Sequence, residues 1–267
     1  MIHLTDEEFQ FIVSFMKSNY GINLINKKLL IESRMYNTLV ERSFTSFSQY
    51  FDIIKSKNPD EIGLLINKLT TNHTYFMREN QHFDFLKNVV LPKHLSNNKT
   101  HDIRTWSAGC SSGEEAFTIA MTMRDFFGLE HSQWDTTILA TDISTKVLNV
   151  AQSKAYDEDS LKDISDSWKK RFFHRRTDGL YDLSDEIRKQ VVFRIFNLME
   201  PFQYKKPFDI IFCRNVMIYF DQQTKTQLVN KFYDALNPGG YLLIGHSESI
   251  QRESSKFKYI QPSVYQK

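Results

Sequence analysis

The stretch that decides the fold is Ile103–Glu115, which reads IRTWSAGCSSGEE. It begins with apolar and β-prone residues, passes through a turn of small residues between Gly109 and Gly113, and ends in two acids. This order predicts a strand, a tight turn and a helix start, because glycine permits the bend and lets a ligand approach the backbone. The first turn of a helix attracts anions, but Glu114 and Glu115 already occupy it. The turn therefore predicts a ligand with a positive charge or hydroxyls, although an ordinary βα turn with capping acids fits equally well.

The residues after this turn alternate between strand-like and helix-like patterns. Predicted strands cover residues 103–108, 136–142, 191–196, 208–215 and 241–247, and predicted helices cover 114–127, 145–156 and 222–236. A turn is predicted at 237–240, and an insert at about 157–190 runs from acidic to basic, with the basic part reading WKKRFFHRR. The alternation predicts a parallel sheet with helices on both faces. The insert fits a solvated subdomain better than a surface that stacks on RNA bases.

The residues before the sheet predict helices. Thr5 and Glu8 form a capping-box pattern, Asn26 is a candidate cap for the second helix, and two further helices are expected near 47–55 and 61–70. Pro92 and the polar residues 94–102 predict a linker. These patterns predict two domains, at 1–92 and 93–267.

Composition excludes several classes of protein. The chain has 267 residues, 41% of them hydrophobic, and a net charge of +2, which predicts a globular core and no nucleic-acid partner. The first residues are too polar for a signal peptide, and no apolar run is long enough to enter a membrane. Cys110 and Cys213 lack metal-ligand spacing and are typical of reduced thiols. We expect a cytoplasmic protein without a metal.

Polar side chains at the ends of predicted strands are candidates for a site, because ligands bind at the carboxyl edge of a parallel sheet. Asp142 suits ribose hydroxyls or a helix N-cap. Arg214 and Asn215 follow an apolar strand and need polar partners. Upstream, Arg78 follows two aromatic residues and suits either a paired surface position or a guanidinium aimed at a carboxylate. The second helix has a basic edge that includes Arg34 and Arg42, which fits a solvated face or a docking face.

Six motifs in order resemble the CheR family of chemotaxis-receptor glutamate methyltransferases. They are LTTNHTYFMRE, WSAGCSSGEEAFTIAM, ATDIS, FNLM, FDIIFCRNVMIYFD and NPGGYLLIGHSES. The resemblance implies a small all-α domain, then a Rossmann-like S-adenosylmethionine-dependent domain that carries a small inserted β-subdomain. It implies methyl transfer from S-adenosylmethionine to glutamates in the cytoplasmic helical domain of receptors, with S-adenosylhomocysteine as product. We expect a monomer.

The resemblance also implies roles for individual residues. By motif, the cofactor would be held by Asn72, Thr74, Arg78, Glu115, Asp142, Asn197, Leu198, Arg214 and Asn215. Among these, Glu115 would face the methionine amino group and Asp142 the ribose hydroxyls. Arg78 and Tyr219 would lie nearest the methyl group, while Arg34 and Arg42 would engage the receptor.

Two features depart from the family pattern. Met77 stands where a second Phe is common, and we expect no effect because Met fills similar apolar space. The loop at 177–179 is short and has one glycine, which argues against tethering to a receptor's C-terminal pentapeptide. Rival functions are an RNA or small-molecule methyltransferase, a non-catalytic S-adenosylmethionine sensor and, disfavoured by the missing G-x-G-x-x-G, a nicotinamide oxidoreductase.

Overall fold

The computed structural model describes residues 2–97, 100–153 and 155–267. The chain begins with a helical bundle of α1 (Asp6–Tyr20), α2 (Lys28–Glu41), α3 (Phe47–Lys55) and α4 (Pro59–Leu69). The predicted capping box is confirmed, since the Glu8 N–H donates to the Thr5 hydroxyl at 3.2 Å and the Thr5 N–H donates to the Glu8 carboxylate at 2.8 Å. The four helices α1–α4 confirm the predicted all-α start of the chain.

The prediction that Asn26 caps α2 is wrong. The residue before α2 is Lys27, which makes no side-chain capping bond. A tight turn, in which the Lys27 N–H donates to the Leu24 carbonyl at 3.0 Å, precedes the helix. An N-cap side chain must reach the second or third helical N–H, and Asn26 lies one residue too early to do so.

The segment predicted as a linker after Pro92 is helical as far as Asn97. It belongs to a continuous run of α5 (Gln81–Phe85), a π-helical turn (Leu86–Val90) and α6 (Leu91–Asn97). Pro92 lies inside this run and lacks the N–H for an intrahelical hydrogen bond, and the π-helical turn directly upstream is where the hydrogen-bond pattern of the run changes. Two residues of the predicted linker, Asn98 and Lys99, lie outside the described residues.

Every strand and helix predicted after residue 103 is present, together with the elements of the insert and a further pair of strands near the end of the chain. The helices are α7 (Glu114–Phe127), α8 (Thr145–Ser153), α9 (Asp166–Phe172), α10 (Asp185–Arg188) and α11 (Gln222–Ala235). The strands are β1 (Thr105–Ala108), β2 (Ile138–Asp142), β3 (Phe173–Arg175), β4 (Tyr181–Leu183), β5 (Val191–Ile195), β6 (Phe208–Cys213), β7 (Leu236–Ile244), β8 (Lys258–Gln261) and β9 (Val264–Gln266). α8 is shorter than predicted, and Lys154 beyond it lies outside the described residues.

Seven of the described strands form one sheet in the order β5-β2-β1-β6-β7-β9-β8. The first five are parallel, as predicted, while β9 runs antiparallel to β7 and β8 antiparallel to β9. The antiparallel pair was not predicted, because its strands are short and Pro262 separates them. The residues predicted as a turn at 237–240 lie within β7, where the pairing with β6 shifts register between Leu236 and Tyr241 and Gly239 has a φ of 80°.

The sheet separates two apolar layers. One contains α7 and α8, and the other contains α11 together with the four helices of the bundle. Trp106 of β1 is fully buried in the second layer, where its ring meets those of Phe208 and Phe232 and its indole N–H donates to the Thr141 hydroxyl at 2.9 Å. The predicted α/β fold with helices on both faces is confirmed. No helix within the described ranges has the length and apolarity needed to cross a membrane.

The insert between α8 and β5 contains α9, the antiparallel hairpin β3–β4 and α10. Its two adjacent aromatic residues, Phe172 and Phe173, are buried in the core and cannot stack on bases. Two of its basic side chains are paired as well, since Lys169 pairs with Glu158 at 3.1 Å and Arg171 with Asp125 at 3.0 Å. The aromatic side chains that suggested RNA binding, and two of the basic ones, therefore make contacts within the folded protein instead.

Candidate active site

The turn between β1 and α7 has the backbone geometry that only glycine adopts freely. Gly109 and Gly113 have φ values of 92° and 93°, in the left-handed region. The Gly109 N–H donates to the Thr141 carbonyl at 2.8 Å, which holds the turn against the end of β2. A Cβ on Gly113 would lie 3.0 Å from the Ala151 Cβ, so α7 and α8 approach closely here. The turn thus presents bare backbone at the carboxyl edge of the sheet.

Asp142 ends β2 with its carboxylate fixed by backbone donors. The N–H groups of Ser111 and Ser144 donate to it at 2.8 and 2.9 Å. Burial raises the pKa of this carboxyl, while the hydrogen bonds from these amides act to lower it. Ser144 precedes α8 and accepts from the Val147 N–H at 3.4 Å, so Ser144 occupies the N-cap position that was considered for Asp142.

A cavity of about 260 Å³ lies where these strand ends meet the segment that follows α4. Every residue predicted to bind the cofactor or to act near the methyl group lines it, namely Asn72, Thr74, Arg78, Glu115, Asp142, Asn197, Leu198, Arg214, Asn215 and Tyr219. Arg34 also lines the cavity, and Arg42 is not among the lining residues. The structure therefore brings the predicted site together, while the individual roles stay predictions.

The cavity wall carries an excess of buried negative charge. The Glu115 carboxylate accepts from the Ser107 hydroxyl at 2.6 Å and from Arg214 at 3.1 Å. Burial raises the pKa of Glu115, whereas Arg214 and Ser107 act to lower it. Arg214 also contacts the Glu79 carboxylate at 3.2 Å. Among the largely buried charged groups that line the cavity itself, Glu115 and Asp142 are acidic and Arg214 is basic, so the carboxylates exceed the guanidinium by one, which suits a cationic ligand group.

Arg78 and Tyr219 approach the cavity from different elements. The Arg78 guanidinium donates to the His73 carbonyl at 2.8 Å and lies 5.9 Å from the Tyr75 ring centroid. The Tyr219 hydroxyl donates to the Thr71 carbonyl at 3.4 Å. These contacts fix both side chains against the segment after α4, whose position therefore sets the geometry near the predicted methyl group.

The predicted asparagines make contacts within the protein. Asn197 donates through its side-chain amide to the Asn19 carbonyl at 2.8 Å and accepts from the Met199 N–H at 3.0 Å. The Asn215 side-chain amide donates to Glu79 at 3.3 Å. These bonds fix the orientation of both side chains at the cavity wall.

The family is identified by comparing the amino-acid sequence with models of protein families. Residues 7–70 match the family model described as "CheR methyltransferase, all-alpha domain", and residues 72–266 match "CheR methyltransferase, SAM binding domain". The chain belongs to the CheR methyltransferase family. This confirms the resemblance drawn from the six motifs, the S-adenosylmethionine cofactor and the methyltransferase class.

Relatives match the chain almost end to end. It is 43% identical to "Chemotaxis protein methyltransferase" of Borreliella burgdorferi, over 100% of this chain and 96% of that protein. It is 36% identical to "Chemotaxis protein methyltransferase 2" of Vibrio cholerae, over 96% of this chain and 90% of that protein. It is also 36% identical to "Chemotaxis protein methyltransferase" of Escherichia coli, over 98% of this chain and 91% of that protein.

The two arginines carried over from the family as docking residues have intramolecular partners. Arg34 donates to the Thr70 carbonyl at 3.0 Å and to the Thr71 hydroxyl at 2.8 Å. Arg42 pairs with Glu61 at 2.6 Å. Arg34 therefore ties α2 to the segment that lines the cavity, and Arg42 ties α2 to α4.

Two further residues support the site although the family motifs assigned them no role. The buried Glu248 accepts from the N–H groups of Asn215 and Ile218 at 3.0 and 3.1 Å, which fixes the loop that leads to Tyr219. The Ser111 hydroxyl donates to the Asn72 carbonyl at 2.8 Å and so joins the glycine turn to the segment after α4. The acid in the polar exit of the last parallel strand, GHSES, was the signal for Glu248.

Glu79, His82 and His246 form a cluster of potential metal ligands whose ligand atoms lie within 4.8 Å of one another. Burial lowers the pKa of His82 to about 3, and neither ring nitrogen has a hydrogen-bond partner among the described residues. The Arg214 guanidinium already neutralises Glu79 and would repel a cation. We therefore assign the Glu79 carboxylate to the ion pair.

Proposed function

We propose that this chain transfers the methyl group of S-adenosylmethionine to glutamate side chains in the cytoplasmic helical domain of chemotaxis receptors. The products would be glutamate methyl esters and S-adenosylhomocysteine. The observation that carries the proposal is the convergence of Arg78, Tyr219 and the acidic wall at Glu115 on one cavity. Relatives named chemotaxis protein methyltransferases match along nearly the whole chain. We expect the protein to act as a monomer in the cytoplasm.

The residues present fit the cofactor. The excess charge at Glu115 would meet its ammonium group, the fixed Asp142 carboxylate would accept from its ribose hydroxyls, and Gly109 would allow close approach of the backbone. When bound, S-adenosylmethionine supplies an electrophilic methyl group on its sulfonium.

The receptor glutamate needs no general base. Its carboxyl has a pKa of about 4.3 when free, so the nucleophile is already ionised at neutral pH. The Arg78 fork would hold one carboxylate oxygen and leave the other directed at the methyl carbon. Tyr219 would orient the same carboxylate or line the path of the methyl group. Alignment of this kind supplies effective molarities of about 10⁵–10⁸ M.

The test is methyl transfer to a receptor cytoplasmic fragment from methyl-labelled S-adenosylmethionine. We expect label in the receptor that mild base releases as methanol, which identifies a carboxyl methyl ester. Label that appears in RNA or a metabolite and not in the receptor would contradict the proposal. Binding of the cofactor without single-turnover transfer would indicate a sensing module instead.

Docking is proposed to use the basic edge of α2. Because Arg42 lies away from the cavity, Arg42→Ala should raise the KM for the receptor fragment and leave the Kd for the cofactor unchanged. Lys55→Ala removes an exposed cation from α3 that pairs with Asp52, and it is the matched control. Equal receptor KM values for wild type and Arg42→Ala would exclude Arg42 from docking.

A further inference from the structure

The backbone on both sides of Arg78 is strained. Met77 and Glu79 have φ values of 60° and 55°, so two residues that carry a Cβ lie in the left-handed region. Such conformations persist only where the surrounding structure imposes them, and they concentrate at functional sites. Phe76, just before them, is fully buried and anchors one end of the segment. The other end needs a restraint of comparable strength.

Glu79 provides that restraint through both carboxylate oxygens. Oε1 accepts from the Asn215 side-chain amide at 3.3 Å and from the His246 N–H at 3.2 Å. Oε2 accepts from Nη2 and Nε of Arg214 at 3.2 and 3.4 Å. These donors lie just beyond the ends of β6 and β7, so one side chain fastens the segment after α4 to the sheet.

Arg214 extends the connection in two directions. The same guanidinium donates to the Arg78 carbonyl and, through Nη1, to Glu115 at 3.1 Å. The Arg214 side chain is 2% exposed and Glu79 is 14% exposed. Burial acts to raise the pKa of Glu79, but Arg214 and the hydrogen bonds from His246 and Asn215 lower it overall, which keeps the carboxyl ionised. The cofactor wall and the backbone of Arg78 are thus joined by one guanidinium.

We infer that Glu79 is a positioning residue, which clamps the strained backbone of Arg78 through Arg214 so that the Arg78 side chain is aimed into the cavity. The inference rests on the proposed function, in which Arg78 holds the substrate carboxylate. Glu79 itself touches neither substrate nor cofactor in this role. Its effect on methyl transfer is exerted through Arg78.

The first test compares Glu79→Gln, which removes the charge and keeps the shape, with Asp84→Asn, which removes an exposed charge from the following helix. Glu79→Gln should lower kcat about 10- to 100-fold, since a displacement of about 1 Å at a reacting group has that effect. The Kd for the cofactor should stay within about threefold of wild type, because Glu115 remains paired with Arg214. Wild-type kcat in Glu79→Gln would overturn the inference. If Glu79→Gln does not fold, Glu79→Asp keeps the charge but shortens the reach, and the same loss is expected.

A double-mutant cycle separates positioning from general structural damage. If Glu79 acts through Arg78, then Arg78→Ala combined with Glu79→Gln should be no slower than Arg78→Ala alone. Two effects that multiply would mean that Glu79 acts independently of Arg78, and would overturn the inference.

Hydrogen exchange measures the clamp without a receptor. Backbone amides of residues 72–80 should exchange faster in Glu79→Gln than in wild type, while Asp84→Asn should leave them unchanged. Unchanged exchange in Glu79→Gln would overturn the clamp even if the wild type methylates receptors. Faster exchange in a protein that methylates no receptor would support the clamp and defeat only the proposed function.

Discussion

Gly109 lies directly against Val216, so closely that a Cβ built on Gly109 would fall 2.3 Å from the Val216 Cγ2. The contact joins the glycine turn to the loop that leads from β6 to Tyr219. Any side chain at Gly109 must therefore push that loop away from the cavity or move the turn itself. The close packing of the glycine turn against the loop that leads to Tyr219 therefore depends on the absence of a side chain at Gly109.

We expect Gly109→Ala to weaken cofactor binding about tenfold or more and to destabilise the fold by about 1–3 kcal/mol, because the left-handed φ adds strain to the clash. Val216→Ala in the same chain should recover part of the loss, since it removes the clash but leaves the strain. Gly63→Ala is the control, because a Cβ there meets nothing within 4 Å and its helix should gain stability. Calorimetry and thermal unfolding measure both effects, and cofactor binding that Gly109→Ala leaves intact would contradict the geometry.

Arg78→Ala should abolish most methyl transfer and keep much of the cofactor affinity. Arg78→Lys should recover little, because a compact, strongly hydrated ammonium on a flexible stem cannot replace the rigid planar guanidinium that would hold one carboxylate oxygen in a fixed direction. Steady-state kinetics with the receptor fragment, together with the cofactor Kd, test the prediction. Wild-type turnover in Arg78→Ala would reject the assigned role.

Cofactor affinity should fall as the solution becomes acidic. Burial raises the pKa of Asp142 and of Glu115, while ribose hydroxyls and an ammonium group favour the ionised carboxylates. As pH falls through these raised pKa values, the free protein takes up protons that must be released on binding, and the Kd rises. Asp142→Asn removes one of the two groups, so its Kd should rise less steeply with acid. Parallel slopes for variant and wild type would contradict the role of Asp142.

The ion pair between Lys17 and Asp221, at 2.7 Å, should give a pH-dependent contribution to stability. The bond from Lys17, with bonds from Thr224, lowers the pKa of Asp221 from 3.8 to about 2. Because the pKa of Asp221 is lower in the folded than in the unfolded protein, the ionised carboxylate stabilises the fold at pH values above the unfolded-state pKa. This contribution is lost as the pH falls through the folded-state pKa. Asp221→Asn keeps the N-cap and should lower the unfolding free energy by about 0.5–1 kcal/mol near pH 6, less at high salt. The difference should narrow progressively from about pH 5 to about pH 1, and a constant difference in denaturant titrations would refute the assignment.

The sequence predicted the parallel sheet and the residues of the cavity because both depend on local patterns. Apolar strands end in polar residues, and a family motif surrounds Asp142, Arg214 and Tyr219. It did not reveal the clamp at Glu79, because that contact joins residues far apart in the chain. The clamp also depends on a left-handed backbone conformation at Met77 and Glu79, which neither residue type predicts. The same reason explains the helix through Pro92, where packing overrides a local signal for a loop.

The four helices of the bundle and one face of the sheet bury their apolar side chains in a common layer that includes Ile12, Met35 and Trp106. Cutting the chain near residue 70 would expose this layer on both fragments, and each would be prone to aggregate. The two regions recognised by separate family models are therefore not interchangeable modules. They should unfold together in a single cooperative transition, so a mutation that destabilises the bundle should shorten the lifetime of the whole folded enzyme.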